Sequence, residues 1–244
     1  MMKKKLFKNS KKIDQFLVNF IKNQKNSLLV KPMKYGVISG GKKIRSTIIF
    51  EAGKIFNLKE KQLINICAAV ECIHSYSLIH DDLPCMDNDL IRRGKPSTHV
   101  KFGEASAVLA GSSLLTLAFE IITDRKYLLN PKTKNEIIRS LASCSGHTGI
   151  AGGQELDLKF ENKKKKLNQI IDMQKKKTGK LFNFCLYAVG AVANKSKKEK
   201  KFLSKLGEEI GLLFQFADDF LDNRGSKKLA GKSVKKDKKK GKST

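Results

Sequence analysis

The chain has 244 residues, 40% of them apolar, which is enough to bury one large core or two small ones and excludes a disordered protein. Lys and Arg number 50 against 23 Asp and Glu, a formal charge of +27, so acidic partners are expected: nucleic acid, an anionic membrane or a phosphorylated metabolite. Trp is absent while Lys, Asn and Ile are abundant, and more than half of the charge excess is assigned to that compositional bias. The five cysteines, Cys67, Cys72, Cys85, Cys144 and Cys185, form no C-x-x-C pair and sit at no zinc-finger spacing, so they read as reduced thiols of a cytosol-like compartment.

In chain order, the basic N-terminus is not followed by an apolar stretch with a cleavage site, and no secretion signal is expected. Ile13, Phe16, Leu17, Phe20 and Ile21 recur at helical spacing and predict an amphipathic helix that packs into the core rather than onto a membrane. A loop with Pro32 and Gly40-Gly41 is expected next, then a helix from Ile44 to Phe56. Leu63, Ile66, Cys67, Val70, Ile73 and His74 continue the helical period until Leu83-Pro84 stops it. Ala105 to Thr123 suits a helix buried on most sides. Asn130-Pro131 breaks the chain, Glu136 to Ala151 resumes a helix, and Gly152-Gly153 leads into Gln154-Glu155-Leu156-Asp157. Leu167 to Ala193 forms another helix with a kink at Thr178-Gly179, and Phe202 to Leu221 is amphipathic. No stretch alternates with period two and no run reaches the ~18 apolar residues of a membrane span, so the fold is all-α and soluble. Residues 227–244 form a lysine-rich terminal segment.

The chemistry concentrates between Glu71 and Gly103. His74 and Asp81, seven apart, share a helix face. Asp81 and Asp87 frame a D-D-x-x-x-x-D segment in which Pro84 turns the later carboxylate back toward the first. Magnesium wants oxygen ligands, keeps several waters and bridges carboxylates to phosphates, a role that suits carboxylates at this spacing. A second acidic run, Phe214 to Asp222, places Gln215, Asp218 or Asp219, and Asp222 along one helical face. Gly40-Gly41 opens a helix whose free N–H groups favour an anion, with Lys42 and Arg45 to one side. Arg92 and Arg93 supply guanidinium forks for phosphate oxygens. Near the C-terminus, Gly241-Lys242-Ser243 has Lys236 where a nucleotide-binding P-loop needs its first glycine, so that reading fails.

The set GGKKIR, ECIHSYSLIHDDLPCMDNDLIRRGKPSTH, GGQELD, KTGKLF, FQFADDFLD and terminal GKST resembles the trans-isoprenyl diphosphate synthases, most closely the bacterial farnesyl diphosphate synthases, in the family's order and over nearly the whole chain. The resemblance implies a single isoprenoid-synthase domain over residues 1–244, an antiparallel all-α bundle around a central cavity, usually a cytoplasmic homodimer. It implies magnesium held by Asp81, Asp87 and Asp82, and by Asp218 with Asp219 and Asp222. Arg92, Lys177, Thr178, Gln215 and Lys232 look like allylic-diphosphate contacts, while Lys42, Arg45, His74 and Arg93 match the isopentenyl diphosphate site. Asp81, Asp87, Lys177 and Asp218 then carry catalysis. An allylic diphosphate, dimethylallyl or geranyl, would condense with isopentenyl diphosphate and release diphosphate. Tyr76, with the insertion Pro84-Cys85, resembles enzymes that stop at the farnesyl product, whereas small Ser77 leaves a geranylgeranyl product open. Ser46 stands where the family has proline, and the family's usual C-terminal helices beyond GKST are lacking, which also admits a non-catalytic homologue or partner subunit. Nucleic-acid binding through the lysine runs 163–166 and 227–242 finds no docking module in the sequence, and neither nucleic acid nor integral membrane association is expected.

Overall fold

The structure is a computed structural model that describes residues 2–22, 27–38 and 40–224. Lys232 and the lysine-rich segment 227–244 therefore lie outside the described residues, as does the side chain of Asp222. The described parts of Met1–Arg139 and Ala188–Lys197 form one compact unit, and those of Ser140–Tyr187 and Lys198–Thr244 form a second.

The first unit contains α1 (Met2–Lys22), α2 (Val30–Ile38), α3 (Ile44–Ile55), a 3-10 turn at Glu60–Gln62 and α4 (Ile64–Asp81). A short hairpin, β1 (Ile91–Arg92) with β2 (Lys95–Pro96), precedes α5 (Thr98–Phe102), α6 (Glu104–Thr123) and the first part of α7 (Pro131–Ser145). The expected loop at Pro32 is instead helical: Pro32 lies in the first turn of α2, where its missing N–H has no intrahelical carbonyl to serve. The centre of this unit is α4, buried from Asn65 to Ile73 and apolar on nearly all sides, so neighbours must cover it all round. Helices α1, α2, α3 and α6 supply that cover. Small residues bring α6 close: Ala107, Ala110, Gly111 and Ala118 are buried, and Asn65 Nδ2 donates to the Ile121 carbonyl at 2.9 Å.

By length and composition alone α6 would suffice to cross a membrane, contrary to the expectation that no segment qualifies. Its Ser and Thr residues interrupt the apolar run without making the helix polar on average. The helix is not buried on most sides as expected: a buried stripe from Ala107 to Ile122 packs on α4 while Val108 and Leu109 are exposed, the signature of a core helix packed on one side.

The hairpin has no counterpart in the sequence expectations. Arg93 (φ 53°) and Gly94 (φ 75°) are both left-handed, the geometry a two-residue hairpin loop needs to match strand twist.

The second unit holds the end of α7, α8 (Ile150–Phe160), α9 (Leu167–Gln174), a π-turn at Lys175–Gly179, the start of α10 (Lys180–Val192) and nearly all of α11 (Lys197–Arg224). The continuous helix expected from Glu136 to Ala151 ends at Ser145, and Gly152 and Gly153 sit inside α8 rather than in a loop. Gly153 is required on steric grounds, because a Cβ there would stand 2.5 Å from the Lys177 Cα, so α8 can meet the π-turn backbone only through glycine. The kink expected at Thr178-Gly179 is the π-turn itself. Gly211 likewise lets α11 approach the turn, where a Cβ would stand 2.8 Å from the Gly179 Cα. Phe182, buried beneath this contact, meets the Phe214 ring at 5.4 Å.

Candidate functional site

Two polar clusters stand out, one in each unit. In the first, Asp81 ends α4 and Asp82 caps it. The loop beyond Pro84 folds back through backbone bonds: Asp87 N–H donates to the Asp81 carbonyl at 2.8 Å, and Asp89 N–H to the Asp82 carbonyl at 3.1 Å. The reversal expected at Pro84 is therefore present, and it ties the main chains of Asp81 and Asp87 together. Asn88 adopts φ 49° to complete the turn, a conformation asparagine tolerates.

Asp82 is turned inward. Its side chain is 3% exposed and receives the Arg92 guanidinium from Nε at 3.0 Å and from Nη2, while Asp89 lies 3.7 Å from the same Nη2. Burial pushes the Asp82 carboxyl up, and the guanidinium opposes that shift.

About two turns before Asp81 on the same helix, cations gather around His74. His74 is half-buried, and its pKa is driven well below the ordinary 6.5, first by burial and then by Arg45, Arg93, Lys43 and Arg92. The imidazole is thus neutral among positive charges. Arg93 lies against Gly41, where a Cβ would stand 2.8 Å from its Cζ, and Nη1 donates to the Gly40 carbonyl. Gly41 is glycine for that contact as well as for its φ of 112°. Burial lowers the Arg93 pKa.

Lys42 is exposed, whereas its neighbour Lys43, overlooked by spacing arguments, points inward at φ 43°. The Lys43 Nζ donates to the Val37 carbonyl at 3.0 Å and pairs with Asp14 at 3.1 Å. Ser46 donates 2.7 Å to buried Glu71, so a hydroxyl at this position finds a partner that a proline could not provide.

Tyr76 is buried edge-on to the His80 ring at 5.6 Å, and burial, with Asp81 second, pushes its hydroxyl up to about 12. His80 Nε2 lies 3.0 Å from the Val108 carbonyl, a contact that requires the glycine at 111. Ser77 is also buried, its hydroxyl donating 2.9 Å to the His74 carbonyl.

In the second unit the π-turn brings four expected residues together. Thr178 Oγ1 donates 2.7 Å to Gln215 Oε1, and Gln215 Nε2 donates 2.7 Å to Asp219 Oδ1. Lys177 pairs with buried Asp157 at 2.6 Å. Asp218 precedes Asp219 on α11 and is half-buried. Two participants were not assigned roles from sequence. Asp157 stands in the recognisable run GGQELD, but Gln174, whose Nε2 donates 2.9 Å to Asp219 Oδ2, carries no local signal. Gln154, 4% exposed, has neither amide atom hydrogen-bonded within the structure.

Among the described residues no three His, Cys, Asp or Glu side chains converge as a preformed metal cage. Each cluster taken by itself fits a hard ion that keeps its waters and borrows oxygens from a phosphate, since such an ion needs only one or two carboxylates from the protein. Orphaned buried amide oxygens on Gln154 and Gln174 are acceptors of the kind that a hydrated ligand would satisfy.

Comparison with known proteins agrees with this chemistry. Residues 26–244 match the family model described as polyprenyl synthetase. The chain is 43% identical over 222 residues to a farnesyl diphosphate synthase of Escherichia coli (strain K12), covering 90% of this chain and 74% of the relative. It is 41% identical over 217 residues to a farnesyl diphosphate synthase of Bacillus subtilis (strain 168), covering 88% and 73%. Among solved structures, an FPP/GFPP synthase from Zymomonas mobilis superposes with a TM-score of 0.86 at 38% identity, over 96% of this chain and 83% of the other. The all-α fold is that of the isoprenoid synthases, and with the motif order, the match across both units and this identity in agreement, the chain belongs to the polyprenyl synthetase family.

Proposed function

We propose that this chain is a magnesium-dependent prenyltransferase that condenses dimethylallyl or geranyl diphosphate with isopentenyl diphosphate and releases diphosphate, with farnesyl diphosphate as its product. The observation that carries the reading is the loop that draws Asp81 and Asp87 together, next to a histidine whose pKa is lowered by burial and by Arg45, Arg93, Lys43 and Arg92. Fixed cations together with hydratable carboxylates suit one bare diphosphate and one carried with metal. A single family model spans residues 26–244, so both units are read as one prenyl synthase domain.

Asp81, Asp87 and Asp218 would hold magnesium, which when bound draws negative charge from the departing diphosphate. Asp82 and Asp219 act at one remove: Asp82 fixes Arg92, and Asp219 fixes Gln215. Asp222 is assigned to magnesium on the family motif alone. On the family motifs, Arg92, Lys177 and Lys232 are assigned to the allylic diphosphate, and Lys42, Arg45, His74 and Arg93 to isopentenyl diphosphate. Neutral His74 offers a hydrogen bond without repelling neighbouring cations. The Thr178 hydroxyl and the Gln215 amide present oxygen to the allylic carbon as its bond to diphosphate breaks, so positive charge develops beside fixed dipoles. The isopentenyl double bond attacks that carbon, and the released diphosphate takes the proton.

Tyr76 supports the farnesyl product because a buried ring one turn and a half before Asp81 closes the chain-elongation path. A longer product is the second reading, favoured by small, buried Ser77 and by likeness to a Zymomonas mobilis FPP/GFPP synthase. We place the enzyme in the cytoplasm as a homodimer; exposed Val108 and Leu109 on α6 offer apolar surface to a second copy. Burial of 44% of the apolar window of α6 supports reading it as a core helix rather than a membrane span. Purified chain with magnesium, isopentenyl diphosphate and radiolabelled dimethylallyl or geranyl diphosphate should yield labelled farnesyl diphosphate. Absence of any elongated product refutes the proposal, and a longer product selects the second reading.

A further inference from the structure

We propose that Gln174 positions the acidic cluster of α11 and supplies a hydrogen-bond acceptor to the hydration shell of the metal that this cluster holds, an inference that rests on the prenyltransferase reading. Gln174 is the last residue of α9 and leads directly into the π-turn that carries Lys177 and Thr178. Its Nε2 donates 2.9 Å to Asp219 Oδ2, while Gln215 Nε2 donates 2.7 Å to Asp219 Oδ1. A carboxylate repels an amide oxygen, so both amides are oriented with their NH2 groups toward Asp219. Gln215 consequently turns its oxygen to the Thr178 hydroxyl at 2.7 Å. The circuit closes through the main chain, from Thr178 back along the π-turn to Gln174, and joins α9, the turn and α11.

One atom in this circuit is left over. Gln174 Oε1 has no hydrogen-bond partner, although the residue is only 5% exposed. Rotating the amide would aim that oxygen at the Asp219 carboxylate, which has no donor to offer, so the orphan is built into the arrangement. An unpaired buried acceptor is unfavourable in the free protein and becomes favourable when a bound ligand supplies a donor. Magnesium retains waters, and each is an O–H donor, whereas a diphosphate presents acceptors. The chemistry of the orphan therefore selects hydrated metal over the phosphate oxygens. Gln174 also keeps Asp219 and, through it, Gln215 in place, so its removal loosens two groups beside the reacting carbon.

The test uses the full chain with magnesium and inorganic diphosphate as the calorimetric probe, together with the magnesium concentration that half-saturates turnover. Gln174→Leu should weaken magnesium diphosphate binding and raise the half-saturating magnesium concentration by about tenfold each, as loss of an outer metal partner typically does. KM for isopentenyl diphosphate should not change. Gln174→His keeps a ring N–H and a second nitrogen as acceptor, and should recover most of the loss. If Gln174→Leu does not fold, Gln174→His measured against Asp219→Asn decides: the first should hold affinity near that of the unsubstituted chain and the second should lose it. Unchanged magnesium affinity and requirement in Gln174→Leu, with only a lower Tm, assigns Gln174 to packing and overturns the inference. Failure of the unsubstituted chain to bind magnesium diphosphate or to form product overturns the prenyltransferase reading itself, and this inference with it.

Discussion

Arg92 Nε lies 3.0 Å and 3.2 Å from the two carboxylate oxygens of Asp82, a forked contact inside a site where Asp82 is almost fully buried. Removing one partner strands the other charge away from water. Arg92→Leu is expected to destabilise the fold by about 3 kcal/mol, and Asp82→Asn by less, because its amide still pairs with the guanidinium. Urea denaturation of both variants and of the double variant should give a coupling of at least about 1 kcal/mol. Additive losses would show that the pair does not act as a unit.

The His74 imidazole has its pKa depressed below 6.5, so the unfolded chain binds a proton there before the folded chain does. Its contribution to stability is complete above pH 6.5 and is lost as pH falls from there toward the depressed folded value. His74→Gln should flatten the pH dependence of Tm below pH 6.5 and leave it unaltered above. Isopentenyl diphosphate should raise the folded pKa, since it brings negative charge into a ring of arginines and lysine. Proton–nitrogen NMR of the His74 ring, titrated with and without the ligand, reads this directly, and an unmoved titration would remove His74 from the diphosphate site.

Tyr76 meets His80 edge-on, and both rings pack inside the first unit. Tyr76→Ala deletes a buried ring and should cost about 3 kcal/mol, close to the loss for other large-to-small core changes. Where the variant still folds, its labelled products should shift beyond farnesyl diphosphate. Thin-layer separation of the dephosphorylated products tests this, and an unchanged chain length would assign Tyr76 to packing alone.

Lys43 and Asp14 form an ion pair 3.1 Å long in which the lysine side chain is 3% exposed. Asp14→Ala leaves an ammonium buried against the Val37 carbonyl, with an expected loss of about 3 kcal/mol. Lys43→Met removes the charge together with its need for a partner and should cost less. Because the pair anchors the loop that carries Gly41 and Lys42, both variants should raise KM for isopentenyl diphosphate more than KM for the allylic substrate. Equal changes in the two constants would assign the pair to general stability.

Local pattern alone revealed much of this protein. Helical spacing located α1, α3, α4 and α11, and a continuous apolar run located α6, because burial of a helix follows its 3.6-residue turn or its apolar length. The spacing of Asp81, Pro84 and Asp87 foretold a reversal, since proline halts a helix wherever it falls in the interior. Family motifs singled out Thr178 and Gln215 separately, but their hydrogen bond is visible only in the structure, and the kink at Thr178-Gly179 was anticipated as a break. Other features depend on residues far apart in the chain. Nothing local distinguishes exposed Lys42 from inward Lys43; the left-handed turn at Lys43 and the carboxylate of Asp14 on α1 make that choice. Asp82 and Asp81 read alike as neighbouring acids, yet capping geometry turns Asp82 to an arginine ten residues away. Gly153 looked like a loop residue until the backbone of Lys177 arrived against it, and Gln174 had no signal because its partner lies 45 residues later. Periodicity and proline act within a few residues and are legible in one dimension, whereas charge pairing, close glycine contacts and orphaned amides are set by which distant segments meet.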